Sequence, residues 1–471
     1  MVQCALPRLG LLGVASLFGV LGACGSGKGT TSAGPGSGGG ATAGASVASV
    51  GSSASSASGG ASSAGSGGAA TSSATSNASA VGSTSAASTG AATTGASSSS
   101  GTGGGGTSGQ WVLGYYVGYA INDYPIAQID WTGMTHIIFA PLTLKADLSL
   151  DLSFDDTNGT GPQDAKALAT AAHAHGVKAL LMLGGAGAGA NIATAASASH
   201  RAAFVASLVG AMAMLGYDGI DLDWEDSVNM PDLVALAQDL RAAQPGMILT
   251  YPAGCINSNY QTVDPLMATL AQSLDRFNVQ TYYPSTAFAG QGWDSWFNSP
   301  MSGITGSTPI AVDDTLQRYA TAGVPKAKLG LGMSFYAICY TGGITGPRQP
   351  TDGTTQQIVG GDNNYPLSMF FAKGSTFDKS LASEQKRDMV AQAPFLALGA
   401  TVNDPGCGAA TRYISYEDET SILAKGAFSK ANGYGGIIIW TLQEGWLPPG
   451  ASGGRPQNAL MQALKHGFID P

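Results

Sequence analysis

The sequence predicts an α/β fold: a (β/α)8 TIM barrel with a small insertion between its seventh and eighth strands, preceded by a disordered Gly/Ser/Ala-rich tether. Three observations carry this expectation. From Trp111 onward, eight apolar or β-branched runs alternate with helical stripes, as parallel strands with covering helices require. The first run leads into Tyr115-Tyr116-Val117-Gly118-Tyr119, whereas a doubly wound open sheet would carry a glycine-rich phosphate turn there. Residues 25–109 are almost wholly Gly, Ser, Ala and Thr, with Lys28 as their single charge, so they lack the apolar surface that could offset the entropy of ordering them.

In chain order, Arg8 and the apolar stretch Leu11 to Leu21 read as the charged and hydrophobic regions of a signal segment, too short to span a bilayer. Leu21-Gly22-Ala23-Cys24 resembles the lipobox of bacterial lipoproteins, which makes 1–24 a lipoprotein-type signal and Cys24 the lipidated residue. Gly25 follows, with no aspartate there to suggest inner-membrane retention. The expected location is an outer-membrane or cell-surface lipoprotein, or a secreted protein. The linker 25–109 would span about 50 Å as a flexible coil. Against 21 Lys and Arg stand 30 Asp and Glu, a net charge of −9, which argues against nucleic acid and leaves lipid contact to the anchor alone.

Residues 110–471 form the barrel portion. Strands are expected over Val112–Val117, Met134–Phe139, Val177–Leu183, Gly219–Glu225, Met247–Pro252, Asn278–Tyr283, Lys328–Tyr336 and Tyr434–Trp440. Helices are expected on the stripe Ala165, Leu168, Ala169, Ala172, ended by Gly176, and from His200 to Leu215, ended by Gly216. Further helices follow from Pro231, over Leu266–Leu274, around Leu316–Ala320 and over Ile422–Lys430. Residues 337–412 are the insertion lobe. Cys339 and Cys407 flank it and form the preferred disulfide pair, which would leave Cys255 as an odd thiol.

The chemistry concentrates in Asp218-Gly219-Ile220-Asp221-Leu222-Asp223-Trp224-Glu225. Same-face neighbours on a strand lie about 6.6 Å apart, so Asp221, Asp223 and Glu225 share one face and the apolar set the other. The apolar set must meet the helices, which turns three carboxylates into the barrel. Three readings fit such a row. It could belong to an edge strand wetted on its polar side. It could hold magnesium or calcium, although no other strand end offers a matching carboxylate or histidine. Or it is a proton-sharing acid catalyst, in which crowding keeps one carboxyl protonated near neutral pH. On the last reading Glu225, nearest the C-terminal end, is the general acid and Asp223 and Asp221 a relay beneath it. Aromatics at the same strand ends (Tyr115, Tyr116, Tyr251, Tyr282, Tyr283 and Trp440) favour a carbohydrate groove, with Trp293 and Trp296 as outer candidates. His136, His173, His175, His200 and His466 show no metal spacing, and no metal or cofactor is expected.

The filling DGIDLDWE matches the pattern DxxDxDxE and resembles the family 18 glycoside hydrolases, the chitinases and their relatives. The resemblance extends through Gly114–Tyr116, Thr135–Ile137, Gly184-Gly185, Gly323-Val324-Pro325, Tyr413–Ile422 with Lys425, and Gly435–Trp440. It implies a retaining hydrolysis in which the substrate's 2-acetamido group is the nucleophile, an exception to the two-carboxylate rule. Residue by residue it implies Glu225 as acid and then base, Asp223 orienting the acetamido N–H with support from Asp221, and Tyr282 donating to the acetamido oxygen. Trp440 would floor the sugar and Tyr115 line it. Gln280, Asp218 and Tyr283 complete the expected substrate contacts. The chain departs from the family pattern at Met182 (usually Ser), Pro141 (an aromatic), Tyr283 (an acid) and Asp226 (often Tyr). The expected substrate is chitin or an N-acetylglucosamine oligomer, acted on by a monomer. The alternatives are an endo-β-N-acetylglucosaminidase on N-glycans or peptidoglycan-type sugars, and a non-catalytic glycan-binding lectin.

Overall fold

The computed structural model describes residues 110–471 apart from 257–261, 283–292, 352–357 and 363; the signal segment, Cys24, the tether 25–109 and Tyr283 lie outside the described residues. Eight parallel strands form the barrel: β1 (Trp111–Val117), β2 (His136–Leu144), β3 (Lys178–Gly184), β4 (Gly219–Asp223), β5 (Ile248–Tyr251), β6 (Arg276–Asn278), β7 (Leu329–Ser334) and β8 (Gly436–Trp440). Each pairs with its successor, and β8 pairs back onto β1, so the sheet has no open edge.

Alternation along each strand sets two apolar layers. Val112, Ile137, Phe139, Ala179, Leu181, Ile220, Leu222 and Trp224 belong to the core shared with the helices. Leu113, Tyr115, Ile138, Leu180, Met182 and Ile438 fill the inside. At the N-terminal end the Trp111 indole seals the barrel. It lies so close over Gly330 that a Cβ there would stand 1.9 Å from the ring, which explains glycine at that position. The Arg276 guanidinium stacks on the same indole at 5.4 Å.

The helices Gly161–Ala174, Arg201–Leu215, Met230–Ala243, Val312–Thr321 and Glu419–Asn432 fall on the predicted stripes. Gly176 and Gly216 take positive φ, 72° and 80°, as the predicted caps require. Elsewhere the structure differs. The helix expected over Leu266–Leu274 is only Met267–Leu270, and among the described residues the unpredicted helices Gly189–Ala196, Leu367–Phe370, Thr376–Lys379 and Ala459–Leu464 are present. Strands β4 and β6 are shorter than the expected Gly219–Glu225 and Asn278–Tyr283. Each ends in the same tight bend: Trp224 N–H donates to Leu222 O, and Thr281 N–H donates to Val279 O, both at 2.8 Å. The last functional side chain of each segment therefore stands beyond its ladder, at the mouth.

The insertion is a five-stranded antiparallel sheet of Ile338–Tyr340, Ile358–Gly360, Gln385–Asp388, Ala393–Asp404 and Gly408–Ser415. It ends beyond the predicted boundary at 412, because Tyr413–Ser415 pair with Ile338–Tyr340. Just past it, Glu417 and Lys425 form a fully buried ion pair at 2.8 Å, and Asp418 caps the helix Glu419–Asn432 in a reciprocal capping box. These residues of the Tyr413–Ile422 motif, with Lys425, tie the lobe to the helix Glu419–Asn432 and do not enter the mouth. Cys339 and Cys407 are disulfide-bonded across 68 residues. Replacing both by Ala is expected to destabilise the folded lobe by roughly 4 kcal/mol, the loop-closure entropy returned to the unfolded chain. Thermal melts with limited proteolysis of 337–415 check this; an unchanged melt and cleavage pattern contradicts it.

Candidate active site

Strand β4 lies between β3 and β5 and pairs with both, which rules out the edge-strand reading of the acidic row. Its alternation turns Asp221 and Asp223 inward, both almost fully buried, and Glu225 follows, half-buried at the mouth.

Asp221 is saturated with donors. Tyr115 Oη donates to Oδ2 at 2.8 Å, Asn278 Nδ2 donates to Oδ1 at 3.0 Å, and Thr250 Oγ1 donates to Oδ1 as well. Burial pushes its carboxyl up to about 6, against the pull of these three hydrogen bonds. Asp221 is thus a held anion at neutral pH, and Thr250 and Asn278 are the residues that hold it. Neither was predicted. The available signal was a polar residue at an inward position of an otherwise apolar strand, on β5 and again on β6.

Asp223 is the opposite case. Its Oδ1 is buried without any hydrogen-bond partner. Met182 stands where the family pattern has serine and supplies no donor. The methyl of Met182 and Oδ2 of Asp223 instead flank Gly185, at 3.2 and 3.8 Å from where a Cβ would be. Burial, then the charges of Glu225 and Asp221, raise the Asp223 carboxyl well above the ordinary range.

Glu225 accepts a hydrogen bond from Gln280 Nε2 at 2.7 Å. Desolvation pushes its carboxyl up to about 7, with the Gln280 bond opposing and Asp226 and Asp221 adding to the rise. Gln280, expected to touch substrate, is bonded to the acid itself. The departure at Asp226 is also accounted for. Its Oδ1 accepts from the Gly187 and Gly189 N–H groups at 3.0 and 3.1 Å, holding the start of the helix Gly189–Ala196.

Tyr282 and Trp440 complete the mouth. Burial raises the Tyr282 hydroxyl well above its ordinary value, so it remains a donor. The half-buried Trp440 ring lies 5.3 Å from that of Tyr115, and its indole Nε1 is buried without a partner. Five of the expected residues lie elsewhere. Asp218 precedes β4 at the opposite end of the barrel, where Lys178 Nζ and Ala179 N–H donate to it at 2.9 Å each and His173 pairs with it at 2.7 Å. It anchors the barrel floor and cannot reach substrate at the mouth. Tyr116 and Tyr251 point outward into the helix-side core, because they have the wrong parity on their strands. Trp296 is fully buried, its Nε1 donating to Ile310 O at 2.7 Å, and Trp293 is buried against Ile310 and Cys255, so neither forms an outer subsite.

The site therefore pairs a carboxyl poised near neutral pH with a second buried carboxyl that lacks a donor, a held anion, a phenol donor and an aromatic floor. That set can protonate a leaving oxygen and then deprotonate water, the work of a general acid–base catalyst. Among the described residues no group of three or more His, Cys, Asp and Glu could hold a metal ion.

Sequence comparison finds a probable endochitinase of Caenorhabditis elegans, 29% identical over 269 residues, covering 53% of this chain and 40% of that protein. Chitinase 1 of Aphanocladium album is 28% identical over 270 residues, covering 53% of this chain and 57% of that protein. The chain thus spans about half the length of these curated relatives. Among solved structures, a group IV chitinase of Ostrinia furnacalis superposes with a TM-score of 0.61 at 19% identity, covering 77% of this chain and all of that one, a likeness of fold. The family model for Glycosyl hydrolases family 18 matches residues 112–445, from β1 to just past Trp440 and across the whole acidic row, and the chain belongs to that family.

Proposed function

We propose that this protein hydrolyses β-1,4 linkages in chitin or N-acetylglucosamine oligomers, with retention of configuration and with the substrate's 2-acetamido group as nucleophile. One observation carries the proposal: Glu225 tops an inward row of acids with its carboxyl pushed up to about 7, as a general acid working near neutral pH requires. Glu225 gives its proton to the glycosidic oxygen as the C1–O bond breaks. The acetamido carbonyl oxygen closes onto C1 and forms an oxazolinium ion. The orphan Oδ1 of Asp223 is the acceptor available to the acetamido N–H, and Tyr282 the donor available to its oxygen. Water then adds to C1, giving its proton to Glu225 and restoring the acid.

The test is a product profile on defined N-acetylglucosamine oligomers, run beside a high-mannose glycoprotein. Release of shorter N-acetylglucosamine oligomers supports the proposal; glycan release from the glycoprotein alone, or no product at all, overturns it. The pH profile follows from the site. Glu225 must be protonated to act as acid, so kcat/KM is expected to fall as pH rises through about 7. The Gln280 bond favours the ionised form, so Gln280→Leu is expected to move that alkaline limb to higher pH. A limb that stays in place or moves down contradicts the assignment.

The N-terminal segment supports export with a lipid anchor at Cys24 and the 25–109 tether carrying a monomeric barrel to an insoluble polymer.

A further inference from the structure

The barrel floor, the end away from Glu225, carries a cation that the fold leaves without a partner. In a chain of net charge −9, the strand starts there are basic: His136 opens β2, Lys178 opens β3, Arg276 opens β6, and Lys328 stands just before β7. The anions Asp218 and Asp275 precede β4 and β6. Most of these charges are committed to neighbours. Lys178 Nζ donates to Asp218 at 2.9 Å. Asp275 accepts from Arg241 Nη2 at 2.6 Å and from the Leu249 N–H at 2.8 Å. Lys328 Nζ donates to the carbonyls of Ala271 and Leu274 at 2.8 and 2.6 Å.

Arg276 is different. It shares the inward parity of Asn278, which bonds Asp221 inside the barrel, and its guanidinium lies 5.4 Å from the centre of the Trp111 ring. Among the described residues it makes no hydrogen bond and no ion pair, and its Nε is buried without a partner. The indole face attracts the charge but leaves the in-plane N–H donors open. Burial pulls the basicity of Arg276 down, with Asp275 opposing, yet a guanidinium keeps its charge. His136 has the inward parity of Ile138 and faces the same floor, its Nδ1 2.7 Å from Thr135 Oγ1. Burial and then the Arg276 charge hold its imidazole down at about 3, with Asp218 opposing and Lys178 adding, so the ring is neutral. A desolvated cation with open donors, beside a neutral imidazole, costs free energy until an acceptor of opposite charge meets it.

We propose that the barrel floor is a binding site for a free tetrahedral oxyanion of the phosphate type, taken by the Arg276 guanidinium at the Trp111 plug with His136 beside it. Arginine's planar fork matches two oxygens of such a group. The ligand is small and free, because the net negative charge of the chain repels an anionic membrane surface. The site lies at the opposite end of the barrel from Glu225, so its occupancy is independent of what binds at the mouth.

The test titrates the full chain with sodium phosphate against sodium chloride of equal ionic strength, by calorimetry and by thermal melts. Phosphate is expected to bind and to raise the melting temperature with its concentration, and chloride to do neither. Arg276→Gln should weaken phosphate binding about ten-fold or more, the usual effect of losing a hydrogen bond to a charged group. Arg276→Lys keeps the charge, loses the fork and should fall between. Melts without phosphate identify a variant that fails to fold. A second measurement needs no substitution at 276: in the chain carrying Glu225→Gln and saturated with the N-acetylglucosamine tetramer, phosphate affinity should be unchanged. Displacement of phosphate by the tetramer would place it at the mouth and overturns the proposal. So does a response to phosphate no larger than that to chloride, an equal affinity in a folded Arg276→Gln variant, or binding to phosphatidylglycerol vesicles without any response to phosphate.

Discussion

Glu225→Gln is expected to lower kcat on N-acetylglucosamine oligomers by about 10²–10⁴-fold while leaving oligomer affinity within a few-fold. The amide keeps the shape of the acid and its place beside Gln280 Nε2, and removes only the proton that the leaving oxygen needs. The same substitution has a stability signature of known sign. The Glu225 carboxyl is raised in the fold to about 7, from about 4.3 in an unfolded chain. A raised carboxyl contributes its stability fully below the unfolded value, and that contribution is lost as pH rises through the folded one. Glutamine never ionises, so the variant should match the parent near pH 4 and exceed it near pH 8. The gain is on the order of 2 kcal/mol, reduced from the full linkage value because Glu225 is half-buried. Melts of both proteins at the two pH values check this. Full turnover in the variant sinks the acid assignment, whereas a flat pH difference sinks only the electrostatic account of the site.

Asp223→Asn is expected to lower kcat by about 10²–10³-fold, the usual cost of removing one preorganised polar contact to a developing charge. Asp223 stands beneath Glu225 with an orphan Oδ1 and no serine at 182 to satisfy it. Its free acceptor has meaning only if the substrate's N–H arrives there, and the charge that grows on the acetamido group in the transition state is what it would stabilise. The loss should therefore appear in kcat and in the affinity of oxazolinium-like inhibitors, with plain oligomers binding as before. A purely structural aspartate would behave differently. Its replacement by Asn would relieve a buried acid, raise the melting temperature and leave kcat alone. Kinetics on the variant with inhibitor titration distinguish the two, and an unchanged kcat refutes the role.

Much of this was legible in the sequence, because strand parity is a strict rule. The alternation in Gly219–Glu225 fixed which side chains face inward, and burial of Ile220, Leu222 and Trp224 against the helices left the acids no other direction. The same rule, applied to every strand, would have removed Tyr116 and Tyr251 from the groove and found Thr250 and Asn278. Where the chain leaves the ladder, parity ends. The bends after Leu222 and Val279 place Glu225 and Tyr282 by turn geometry, which periodicity does not encode. Asp218 shares its motif with the catalytic acids yet lies a full strand length from Asp223, since adjacency in sequence along an extended segment is separation in space.

The Trp111 plug has a bearing on how a polymer can be handled. With its ring pressed on Gly330 and backed by Arg276, the hollow is a blind vessel with a single door. On the proposed function, a chain of sugars cannot thread through from one side to the other and would drape across the rim, dipping one linkage toward Glu225. Its products would then depart sideways, along the same surface on which the chain came in.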